Sequence, residues 1–139
     1  MNTSTEQLAA LIAQKHEVLM QLRAVGVRQT DLVASGEVAA LLKLLAAKQH
    51  LITRLQELER ELRPHYAGDP DKRVWRTPDE RARCARQASE CNALLEEVVQ
   101  LEKLGAERMN ERKNEVAQQL QQVHAATHVR SAYQAQQRA

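Results

Sequence analysis

Residues 77–129 read TPDERARCARQASECNALLEEVVQLEKLGAERMNERKNEVAQQLQQVHAATHV, and this stretch decides the fold. It opens with Thr77-Pro78-Asp79-Glu80: a Thr at the N-cap, Pro at the first helical position, an acid second and Glu at N3. A helix starts there. No proline follows, and apolar residues recur at helical spacing through Cys84, Ala88, Cys91, Leu94, Leu95, Val98 and Leu101, then Met109, Val116, Leu120, Val123 and Thr127. The pattern lasts about 50 residues, which is roughly 75 Å of unbroken helix at 1.5 Å per residue.

The rest of the chain agrees with a helical reading. Of 139 residues, Ala 21, Leu 18, Gln 15, Glu 14, Arg 14 and Lys 6 are strong helix formers, whereas there are three aromatics, four Gly and three Pro. That leaves too few β-formers and turn residues for a sheet. Upstream, Thr3 and Glu6 form a capping-box pair, followed by a stripe at Leu8, Leu11, Ile12, Val18, Leu19, Leu22, Val25, Leu32 and Val33. This predicts a first helix over about 4–35, with Gly26 a small residue where another helix approaches. Ser35-Gly36 supplies a C-cap with Gly left-handed, and Glu37 supplies an acidic start to the next helix. The second stripe, Leu41, Leu42, Leu44, Leu45, Leu51, Ile52, Leu55, Leu58 and Leu62, is wider. It predicts a helix over about 37–62, sandwiched between two neighbours and ended by Arg63-Pro64. All three prolines fall in the loop 63–77, and the third helix covers about 78–128. The expected fold is all-α: one domain, 1–139, an antiparallel three-helix bundle or coiled coil whose long C-terminal helix overhangs the core from about residue 110.

Several classes of function are disfavoured. Twenty basic and eighteen acidic residues leave a net charge of +2, which sets up no global field for nucleic acid. The longest uncharged stretch, 116–129, holds four Gln and two His and is too short and polar to span a bilayer, so no membrane insertion is expected. The N-terminal residues lack the basic region of a leader, and the expected compartment is the cytoplasm. Cys84 and Cys91 lie about 10.5 Å apart along one helix, too far for a disulfide between them, and read as buried apolar side chains. His124 and His128 could reach one metal ion, yet no third ligand is near in sequence, so neither metal nor cofactor is expected. No phosphate loop, nucleophile elbow or inward carboxylate pair marks an enzyme. Between Arg63 and Arg86, seven basic residues accompany Tyr66 and Trp75. A nucleic-acid-binding loop is one reading; the favoured one has Trp75 tucking the loop against the bundle while the arginines are solvated or pair with the glutamates of the second helix.

Two runs carry a family resemblance. Leu41-Leu42-Lys43-Leu44-Leu45-Ala46-Ala47-Lys48-Gln49, continuing through Leu55-Gln56-Glu57-Leu58-Glu59-Arg60-Glu61-Leu62, resembles the second helix of FlgN-type flagellar export chaperones. Leu94-Leu95-Glu96-Glu97-Val98-Val99 with Leu101-Glu102, then Glu111-Arg112-Lys113-Asn114-Glu115 and Ser131-Ala132-Tyr133, resembles that family's long last helix. The similarity covers about 37–133. It implies a non-enzymatic cytoplasmic chaperone that binds the C-terminal helical segments of hook-filament junction proteins and helps deliver them to the flagellar export apparatus. The partner-binding surface implied is the tail 109–139, carrying Met109, Val116, Leu120, Val123, Thr127 and Tyr133. The alternative is a self-associating coiled-coil protein without a client, a homodimer through the same seam.

Overall fold

A computed structural model describes residues 4–137, and the Thr3 cap expected for the first helix lies outside them. The chain forms α1 (Ser4–Ser35), α2 (Val38–Tyr66), a short 3-10 turn (Pro70–Lys72) and α3 (Pro78–Gln137). The Thr77 Oγ1 accepts the Glu80 backbone N–H at 3.1 Å, which fixes the start of α3 where the sequence places it. Between α1 and α2, Gly36 adopts φ 73°. The Gly36 N–H reaches the Val33 carbonyl at 3.3 Å and the Glu37 N–H reaches Leu32 at 3.2 Å, a Schellman closure that turns the chain through a hairpin. Glu37 is the N-cap of α2 but makes no side-chain cap, and the first turn of α2 contains no acid.

The three helices pack as an all-α bundle. Gln29 bonds Lys48 and, lower down, Lys15 pairs with Glu59, so α2 runs back along α1. His16 meets Glu90, Arg23 meets Glu97 and Gly26 meets Leu101, so α3 runs in the same direction as α1 at an almost constant offset. Gly26 is the close approach: a Cβ there would lie 3.1 Å from Leu101 Cβ.

The central helix is α1, not α2. Ten α1 residues are buried, including Leu8, Ile12, Leu19, Leu22, Leu32 and Val33, whereas α2 buries only Leu58 and Leu62. The expected sandwiching of the second helix is therefore corrected: its wide stripe is mostly half-buried against α1, and Leu42 lies outside the packed interface, 63% exposed. Its end is corrected as well. The helix passes through Pro64 to Tyr66, because a proline this close to the C-terminus removes one i to i−4 bond, and the Ala67 N–H closes the last turn on the Pro64 carbonyl. Likewise α3 continues past 128 to Gln137, through Arg, Ala and Gln, which favour helix.

Packing is uneven along the bundle. Leu8, Ile12, Val18, Leu19 and Leu22 form one core with Leu58, Leu62, Cys84, Cys91 and Leu94, closed by Trp75 from the loop. The loop is held by Thr5 Oγ1 donating to the Val74 carbonyl at 2.7 Å and by Arg73 donating to His65 at 2.8 Å. Arg76 pairs with Glu6 of α1 at 3.0 Å rather than with a glutamate of α2. Midway to the hairpin a polar layer interrupts the interior, before Leu32 and Val33 bury apolar surface again. Buried Gln29 accepts from Lys48 at 3.2 Å, Lys48 also pairs with Glu102, and Gly105 leaves room for the Gln29 amide.

Candidate functional site

The apolar line of α3 that packs against α1 and α2 does not stop where those helices stop. At 100° per residue, Met109, Val116, Leu120, Val123 and Thr127 fall within about 60° of arc, and Cys84, Cys91 and Glu102 face the same way. Lower down, that direction is filled by Ile12 against Cys91 and by Lys48 against Glu102. Beyond the hairpin it faces no other described part of the chain.

The structure divides the sequence-derived site residues into two groups. Met109 and Val116 are 42% and 41% exposed and flank the α1–α2 corner, so neighbours persist to about residue 116 rather than 110. Leu120 and Val123 are 64% and 63% exposed. Thr127 is exposed, with its hydroxyl donating to the Val123 carbonyl at 2.9 Å, a bond within the helix. Tyr133 is exposed as well but sits about 120° around the helix from Thr127, so it does not extend the seam.

Sequence reasoning missed a groove at the foot of the seam. Its apolar floor comes from Leu32 and Val33 of α1, Val38 and Leu41 of α2, and Met109 and Val116 of α3, around a cavity of about 410 Å³. Among the described residues, the charged ones lining it are Arg112 and Lys113. Three elements meet there because the left-handed Gly36 folds α2 back beside the register at which Arg112 passes the corner. The available signal was the excess width of the α2 stripe, with leucines that α1 alone could not cover.

The other candidates stand apart from this surface. Cys84 and Cys91 are buried free thiols, and burial pushes both above the ordinary thiol range. His124 and His128 lie on the exposed tail, and among the described residues no three His, Cys, Asp or Glu side chains cluster as metal ligands. No helix among them is long and apolar enough to cross a membrane. Trp75 packs against the core, so the loop closes the bundle end. Comparison with known protein families, characterised proteins and solved structures finds no match.

Proposed function

We propose that this chain is a helical export chaperone of the FlgN type, which holds the C-terminal helical segment of a hook-filament junction protein on the tail of α3 and presents it to the flagellar export apparatus. The observation that carries the reading is the seam itself: an apolar line continuous with the core, on a 21-residue extension that no other described element covers. A client helix with an apolar stripe too narrow to fold alone gains burial by pairing with it, at about 25 cal/mol per Å² of apolar surface. Ordering the client offsets part of that gain, which suits a cargo that must be let go. With no Asp, Glu, Lys or Arg over 116–129, the pairing is apolar rather than electrostatic.

Pulldown of the hook-filament junction proteins encoded in the same genome tests this. Full-length protein should retain one of them and a chain lacking 111–139 should not. Equal recovery with both would remove the tail from the site and the proposal with it.

A further inference from the structure

Resting on that reading of the tail, we infer that the groove at the α1–α2 corner is an end socket for the client's C-terminus. The client helix would lie antiparallel to α3, with a terminal apolar side chain on the groove floor and its carboxylate on Lys113 and Arg112.

The geometry supplies the position. A helix laid along Val123, Leu120 and Val116 towards the bundle runs into the Gly36 corner, because α1 and α2 already occupy the same face of α3 below it. An occupant that follows the seam down to the corner therefore ends in the groove, whose floor is apolar and whose charged lining, among the described residues, is basic. A helix C-terminus carries the negative end of the backbone dipole together with the chain's carboxylate, whereas an N-terminus would bring positive charge against two cations. Arg112 is tied only to Glu115, at 3.5 Å on the surface, and Lys113 has no ion pair among the described residues. Both heads can therefore turn to an incoming anion.

A second copy of this chain fits poorly. If two tails pair antiparallel with Gln137 of one at the other's corner, Val116, Leu120 and Val123 of one face Gln137, Gln134 and Arg130 of the other. Sliding the copies until Leu120 faces Leu120 carries Gln137 of each to the level of Lys103 of the other, where α1 and α2 already fill the seam.

Peptides copying the last 24 residues of the junction protein retained in the pulldown, one with a free carboxylate and one amidated, test the inference on the full-length chain. The free acid should bind about tenfold more tightly, as a charge-assisted contact of this size implies. That preference should shrink in 0.5 M salt and vanish in the Lys113→Gln, Arg112→Gln double variant, which still binds the amide as the wild type does. Equal binding of acid and amide to the wild type would overturn the socket while leaving the tail as client site. Failure of both peptides to bind, with or without Leu120→Glu and Val123→Glu, would overturn both. A dimer of the free protein whose groove residues are protected at the interface would assign the socket to a second copy instead.

Discussion

At single positions, the packing distances decide signs that residue preference alone gets wrong. Alanine is favoured over glycine inside a helix by about 1 kcal/mol, and Gly26 lies inside α1, yet its Cβ would sit 3.1 Å from both Cβ and Cδ1 of Leu101. The Cδ1 can swing away; the Cβ moves only with the α3 backbone. Gly26→Ala should therefore lower stability by about 1 kcal/mol, as overpacking does, whereas Gly68→Ala, with nothing within 4 Å, should not. Urea titration of the two variants checks this. The buried thiols give a second test. Because burial raises the Cys84 and Cys91 pKa values, both stay protonated in the folded protein at neutral pH, and neither should react with a thiol reagent until the chain is unfolded. The sign for stability follows: with a folded pKa above the unfolded one, each thiol favours unfolding as pH rises through its ordinary value of 9.0 and is neutral below it. Gly36 and the Thr77 cap were legible because each follows from local backbone chemistry, and Gly26 because a glycine on an apolar stripe marks a close approach. The Gln29–Lys48–Glu102 layer was not, since it depends on three helices meeting at one level.

Among the elements, α2 is where periodicity misleads. A stripe records how much of a helix is apolar, not how many helices cover it, and of the nine residues in this one only Leu58 and Leu62 are buried. Leu58 is fully buried while Leu42 is 63% exposed, so Leu58→Ala should cost about 2–5 kcal/mol and Leu42→Ala well under 1 kcal/mol. Thermal melts of the two variants would separate them, and equal costs would mean that Leu42 is buried in solution, by a partner or a second copy. The loop behaves differently. Trp75 is only partly buried against the core, so its loss to Ala should cost about 2 kcal/mol, below the range for a fully buried aromatic. Length was the informative feature of α3: a capped start without a later proline says that it outruns its neighbours. The sequence could not say where the neighbours end, because that level is set by the register of α1 against α3 and by the Gly36 turn.

Taken as a whole, the molecule is a bundle with its tight core at the loop end, a polar layer midway and a single helix projecting from the hairpin end. The projection needs an account, because 21 exposed residues rich in Gln make a marginal helix in water. Its stability comes from below. Starting a helix fixes several residues for one hydrogen bond, but α3 is already started and held by the bundle, so each further residue adds a bond without that initial cost. The helix should therefore fray from Gln137 inward, while the seam nearest the corner stays formed and ready for a client. An isolated peptide of residues 111–137 must start its own helix and should show little helical circular dichroism. The full chain should exceed a chain ending at residue 117 by the signal of most of a 20-residue helix. Since the removed part touches no other described element, both proteins should melt within a couple of degrees of each other. In native-state hydrogen exchange the slowest amides should lie near Leu19, Leu58 and Leu62 and the fastest beyond Gln118. A large drop in melting temperature on truncation, or protection of the tail amides equal to the core's, would mean that the tail packs on something in solution, and its seam would then be part of a fold rather than a surface held open for a client.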